Sequence, residues 1–174
     1  ILKGNIARQG AAMRLSTLPD GMDQFSGPAH VFDSEEAAMQ AVIDGVIHEG
    51  SVVVVRFEGP KGGPGMREMH RLVGAFAGKK IAVITDGRFS GATGGLSIGY
   101  LCPEAALGGE IAIVQDGDII SIDILNRTIE ILISQAEIQE RMKNLVFDRD
   151  LKELRLLDKY ARFVGSAFTG ALEQ

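Results

Sequence analysis

Between Val52 and Gly95 the chain reads VVVVRFEGPKGGPGMREMHRLVGAFAGKKIAVITDGRFSGATGG, two apolar runs that each pass into a glycine-rich polar loop, with one amphipathic segment between them. Val52–Phe57 and Ile81–Thr85 are too short for lone helices and rich in β-branched residues, so both are predicted to be buried strands. Glu58–Gly65 and Asp86–Gly95 then leave the ends of those strands as loops. Glycine there allows positive φ and close backbone approach to a ligand, and proline fixes φ. Loops placed by buried strands are where sites lie in open sheets. Such loops also simply turn the chain. Two of them, both carrying charged and hydroxyl side chains, leave the two readings balanced.

Length and charge narrow the field. A chain of 174 residues is expected to form one domain and to bury about two-thirds of its unfolded surface. Glycine is abundant at 22 residues and there is no Trp, which favours strands with tight connections over a helical bundle. A net charge of −5 argues against a nucleic-acid partner. No apolar run reaches the roughly 20 residues of a membrane helix, and no secretory signal opens the chain. The expectation is a cytoplasmic protein. Cys102 is alone, so it forms no internal disulfide and holds no zinc or iron–sulfur site by itself. In GYLCPEA it reads as a small buried hydrophobe. The start at Ile1, without Met, reads as a piece of a longer chain.

In chain order, Ile1–Met13 reads as a loop around a short strand, and Asp20–Gly21 and Gly27–Pro28 as turns. Asp33 with Glu36 forms a capping box for a helix ended by Gly45. Met66, Met69, Leu72, Val73 and Phe76 recur at helical spacing, which predicts a helix over Met66–Phe76, stopped by Gly78. Ile111–Gln115, Ile119–Ile124 and Thr128–Ile133, joined at Asp116-Gly117 and Asn126-Arg127, read as a three-stranded meander. Ser134 with Glu137 opens a helix to about Val146, and Leu151–Ala167 has helical spacing. Strands first alternate with helices and then follow one another as hairpins. That pattern predicts an α/β fold with a mixed sheet curling towards a barrel and flanking helices.

GPKGGPG lacks the ending of a phosphate-binding P-loop, and no G-x-G-x-x-G opens a helix after a strand. RFSG lacks the hydrolase elbow. His30, His48 and His70 are not spaced as metal pairs. The polar residues left are Glu58, Lys61, Glu68, Asp86, Arg88, Ser90 and Thr93. Ser90 follows a buried strand in a glycine-rich loop, so its hydroxyl can be presented to a cavity. Serine is a weak base or nucleophile at neutral pH unless a partner, a metal or a cation lowers its pKa. It reads equally well as a turn hydroxyl. Glu68, one turn into the predicted helix, can point back to the loop or serve only as a favourable first-turn acid.

The runs LKGNIARQGA, FSGPAHVFDSEEAAM, VVVVRFEGPKGGPGMREM, ITDGRFSGATGG, CPEAALGGEIAIVQDGDIISID, NRTIEI and LDKYARFVGSA resemble the C-terminal domain of the dihydroxy-acid dehydratase / 6-phosphogluconate dehydratase family. The resemblance implies a swivelling β/β/α domain of a hydro-lyase that converts 2,3-dihydroxy carboxylates (branched-chain amino-acid precursors or sugar acids) to 2-keto acids. It implies that Ser90 is the base taking the C2 proton, Glu68 a Mg²⁺ ligand and Thr93, with Ser90, a substrate contact. The cofactors implied are Mg²⁺, which suits a carboxylate oxygen, and an iron–sulfur cluster whose cysteines belong to an N-terminal domain outside this chain. The implied partners are that domain, a small dihydroxy acid and a further copy of the enzyme, with no nucleic acid or membrane. Tyr100 stands where the family often has His, and Gly94 near where it has a further Arg or His. The isolated domain is expected to be inactive. The competing readings are a stand-alone module that binds a small anion or sugar acid without catalysis, and a subunit-interface protein.

Overall fold

A computed structural model describes residues 1–91, 93–146 and 155–172. Eight strands close into a barrel: β1 (Leu2–Gly4), β2 (Ala7–Met13), β3 (Gln24–Phe32), β4 (Val52–Val55), β5 (Ala82–Thr85), β6 (Leu96–Cys102), β7 (Ile119–Asp123) and β8 (Thr128–Ile131). Their order around the barrel is β1-β2-β6-β5-β4-β3-β7-β8. β3, β4, β5 and β6 pair in parallel, and β7 runs antiparallel to both β3 and β8. The expected mixed sheet therefore closes completely.

β4 and β5 are buried along their whole length because both faces are covered. Val52, Val54, Ala82 and Ile84 point into the barrel with Leu96, Ile98, Ile120, Ile122 and Ile129. Val53, Val55 and Val83 point outwards under Ala38, Met69, Leu72 and Phe76. The covering helices are α1 (Glu35–Ile43) and α2 (His70–Ala75). Fully burying one such valine is worth on the order of 1.5–3 kcal/mol. The remaining helices among the described residues are α3 (Gln135–Lys143) and α4 (Arg155–Phe163). None is long and apolar enough to cross a membrane.

Several local expectations are corrected. Gly27–Pro28 is not a turn but lies within the nine-residue β3. A Cβ at Gly27 would overlap the Gly50 carbonyl, so glycine serves close packing there. Pro28 pairs only with β7, one residue before the β4 ladder begins at Ala29, so its missing N–H breaks no β3–β4 bond. Ile1–Met13 is a hairpin of β1 and β2. Ile111–Gln115 contributes no strand, because Glu110–Ile113 winds into a short 3-10 turn, and β7 finds its second neighbour in β3. The Asn126-Arg127 turn does join β7 to β8, with Arg127 at φ +58°. Ser34, not Asp33, caps α1, and Ser134 caps α3 as expected by accepting the Glu137 N–H. The Met66–Phe76 helix begins only at His70, since Met66 sits at φ +45° and cannot continue a right-handed turn. Of the expected helical tail Leu151–Ala167, residues 151–154 lie outside the described residues, and α4 covers Arg155–Phe163 and stops short of Ala167.

Candidate functional site

The two glycine-rich loops leave the carboxyl ends of the neighbouring parallel strands β4 and β5, so they emerge side by side. Three buried acids hold them there. Asp86, directly after β5, accepts the backbone N–H groups of Phe57 at 3.1 Å, Glu58 at 2.9 Å and Ala105 at 2.9 Å. Glu104 accepts the N–H groups of Lys61 and Gly62. Glu58 accepts the Glu35 N–H at the start of α1. Burial pushes the Asp86 carboxyl up from 3.8 to about 6, against its three N–H donors and with help from the nearby Glu104 charge. Burial also raises Glu104, while the Gly62 and Lys61 N–H groups and the Lys61 charge oppose it.

The glycines serve this packing. A Cβ at Gly87 would lie 2.8 Å from Glu58 Cβ and 2.9 Å from Met69 Cε. The close approach read from the sequence is therefore to the protein's own acids.

Beyond Gly87 the loops make one further pairing. Glu68 and Arg88 form an isolated parallel bridge, and Arg88 Nε donates to the Met66 carbonyl at 2.6 Å. Glu68 thus stands ahead of α2 in extended backbone, and the expectation that it lies one turn into a helix is corrected. Its Oε1 is buried and accepts no hydrogen bond among the described residues.

Ser90 follows two residues after Arg88. Its Oγ lies 3.4 Å from Thr93 Oγ1, and the Thr93 N–H donates to the Ser90 carbonyl. Both hydroxyls line a cavity of about 190 Å³, whose other polar side chains are Arg14, Thr17, Ser97 and Tyr100. Between the pairs Gly10↔Cys102 and Ala12↔Gly99 the β2–β6 register slips, leaving one extra residue on β6. Tyr100 lies in this bulge at φ +56°, a conformation such irregularities impose and use to re-aim a side chain. Glu68 is not among the residues lining the cavity, and the Arg88 bridge is what ties it to the Ser90 loop.

The sequence placed Glu58 on the loop after the first buried strand, Asp86, Ser90 and Thr93 on the loop after the second and Glu68 on a helix; the structure keeps the first four on those loops and puts Glu68 in the extended segment just ahead of α2. Sequence reasoning missed Glu104, which lay in a segment with no strand or loop pattern, and Arg14, which ends the β2 hairpin. A larger cleft, about 1070 Å³, lies between β3 and α3. Its arginines are already engaged, Arg56 with Asp33 and the Ala112 and Val114 carbonyls, and Arg141 with Asp118 and Glu137. Cys102 is buried as expected. Burial raises its thiol pKa, opposed by hydrogen bonds from Ser166 and the Phe168 backbone. Among the described residues no three His, Cys, Asp or Glu side chains converge as a metal site.

The family described as dihydroxy-acid/6-phosphogluconate dehydratase C-terminal matches residues 1–171. Dihydroxy-acid dehydratase of Thermodesulfovibrio yellowstonii is 52% identical over 176 residues, and that of Pyrococcus furiosus 50% over 177. That of Aquifex aeolicus is 51% identical over 178 residues. In each case the match covers 99% of this chain and 32% of the relative, so the chain spans about a third of the length of the curated relatives it matches. The chain therefore belongs to the dihydroxy-acid/6-phosphogluconate dehydratase family and corresponds to the C-terminal domain of its members.

Proposed function

We propose that this chain is the C-terminal domain of a hydro-lyase that dehydrates 2,3-dihydroxy carboxylates to 2-keto acids, with Ser90 as base, Glu68 as a Mg²⁺ ligand and Thr93 as a substrate contact. The observation that carries the proposal is the loop after β5. It presents the Ser90 and Thr93 hydroxyls to a small cavity while its Arg88 is bridged to Glu68, whose buried Oε1 has no partner among the described residues.

An orphaned, buried carboxylate oxygen is costly unless something pairs with it. A hard divalent cation meets that need, and Glu68 fits as one oxygen ligand of a Mg²⁺ whose other ligands lie outside the described residues. When bound, Mg²⁺ supplies the positive charge that lowers the pKa of a nearby hydroxyl. The residues present do not fit an iron–sulfur cluster, since Cys102 is a single buried thiol. Departure of the C3 hydroxyl is therefore assigned to chemistry outside this chain.

The part left to this chain is proton removal and positioning. Ser90 Oγ takes the proton from C2, the C2–H electron pair forms the C2=C3 bond, the C3 hydroxyl takes up a proton from outside this chain and leaves as water, and the enol tautomerises to the 2-keto acid as its hydroxyl proton is lost and C3 gains one. Thr93 Oγ1, within reach of Ser90 Oγ, fixes the serine rotamer and offers a hydrogen bond to a substrate hydroxyl. The asymmetry of the burial serves this role, because Thr93 is 7% exposed whereas Ser90 is more open to the cavity. An N-terminal domain, and self-association of the whole enzyme, belong to the same proposal.

The test is Ser90→Ala in a full-length dehydratase carrying this chain as its C-terminal domain. Turnover is expected to fall by about 10²–10⁴-fold, the usual contribution of a general base, with substrate affinity largely kept. A near-normal rate would remove Ser90 from this role.

A further inference from the structure

We propose that the exposed apolar face of α4, with the rim of the loop that leads to Glu68, is the seat on which the N-terminal domain of the enzyme docks. The inference rests on the reading above that such a domain completes the metal site at Glu68.

α4 carries two apolar stripes. Leu157 and Ala161, followed by Val164 just past the helix, recur at helical spacing and turn inwards, with Leu157 half-buried and the other two buried. Leu156, Tyr160 and Phe163 recur at the same spacing one residue earlier, yet stay 79%, 39% and 48% exposed. They line a groove of about 440 Å³ that Gly65 also lines. The helix is fastened to the same loop. Lys61 Nζ donates to the Ala161 carbonyl at 3.0 Å, while the Lys61 backbone N–H is held by the buried Glu104. One apolar stripe is enough to seat a surface helix on its own body. A second, bearing two aromatic side chains, has the composition of an interface core.

Position selects the occupant. Gly65 precedes Glu68 by a stretch of chain that spans at most about 11 Å when fully extended. Glu68 Oε1 is buried without a partner among the described residues and takes its companions from elsewhere. A protein interface of ordinary size covers about 800 Å² on each partner, roughly 30 Å across, so a surface centred on Glu68 extends about 15 Å each way. Whatever brings the missing ligands to Glu68 therefore lies over the groove as well. A second copy of this chain has no such set to bring, since among the described residues no three His, Cys, Asp or Glu side chains converge. The N-terminal domain does, on the reading above. Through the Lys61 bond, α4 and the first glycine-rich loop form one support, so the domain rests on the element that leads directly to Glu68.

The experiment uses the full-length, metal-loaded dehydratase carrying this chain as its C-terminal domain. The photoreactive p-benzoylphenylalanine replaces Phe163, and mass spectrometry after illumination identifies what it touches. The expected cross-link joins position 163 to a peptide of the N-terminal domain. A cross-link to residues 1–174 of another copy, or none to protein, would overturn the proposal. In a second arm, Leu156→Glu places a charge on the docking face at an exposed position in the first turn of α4, where glutamate suits the helix. Tryptic cleavage between the two domains is expected to quicken about ten-fold or more, the usual size of a lost apolar anchor, with Leu156→Met close to wild type. Unchanged cleavage there, or faster cleavage inside residues 1–174, would overturn the proposal too. Both readouts are taken without substrate, so turnover is a separate measurement. An enzyme whose domains dock on α4 but that leaves 2,3-dihydroxy acids unreacted would sink the hydro-lyase reading and leave the docking face standing.

Discussion

Replacing Asp86 with asparagine preserves the shape of a fully buried side chain, removes its charge and turns one accepting oxygen into an NH2 donor that faces a backbone N–H, a cost that does not vary with pH. The carboxyl sits at the joint of the two glycine-rich loops, accepting N–H bonds from Phe57, Glu58 and Ala105. Two effects compete there. Three backbone donors favour the carboxylate, while loss of water and the neighbouring Glu104 charge favour the acid. The balance goes to burial, which raises the group from 3.8 to about 6. The folded chain then binds this proton more tightly than the unfolded chain does, so stability is greatest below about pH 4 and falls as pH rises towards about 6. The difference amounts to about 3 kcal/mol for this one group. Denaturant titrations of wild type and Asp86→Asn across that range isolate it together with its coupling to Glu104, because the titrating groups that do not interact with Asp86 cancel in the difference. Wild-type stability relative to the variant is expected to drop by about 3 kcal/mol between about pH 4 and about pH 7. A flat difference, or one that rises with pH, would show that the three N–H donors outweigh burial and would refute the reasoning.

Gly87→Ala forces a Cβ to within 2.8 Å of Glu58 and 2.9 Å of Met69, and is expected to destabilise the chain by about 1–3 kcal/mol in denaturant unfolding. Unchanged stability would mean that the two loops can part without cost. Ser134→Ala removes the hydroxyl that accepts the Glu137 N–H at the start of α3 and is expected to cost about 1 kcal/mol, read from the same transition.

What the sequence made legible depended on whether local pattern and tertiary role agreed. β4 and β5 announced themselves because burial on both faces demands an unbroken β-branched run, and nothing local contradicts it. β3 and β6 did not. Gly27–Pro28 carries a turn signal, yet the barrel uses the glycine for contact with Gly50 and tolerates the proline beside a ladder that starts one residue later. β6 contains a bulge and a positive-φ Tyr100, which break the two-residue alternation that would have betrayed it. Glu68 was placed on the wrong local element because Met66 and Met69 fit a helical spacing, while the positive φ of Met66 holds the chain extended until His70.

The glycine-rich loops were legible as special and misread in purpose. Gly59, Gly63 and Gly87 would each press a Cβ against Glu104 or Glu58, so the strand-proximal halves of both loops are filled by the chain's own carboxylates. With the N–H groups of Phe57, Glu58, Lys61 and Gly62 given to Asp86 and Glu104, that part of the first loop has no row of free donors to cradle a phosphate. What remains for a ligand is the segment past Arg88, where the acids end and hydroxyls begin. The buried acids thus act as a rigid footing beneath both loops, below the Glu68–Arg88 bridge. Exchange of a single hydroxyl in that outer segment should therefore change chemistry with little change in stability, whereas exchange of an acid beneath it should change both.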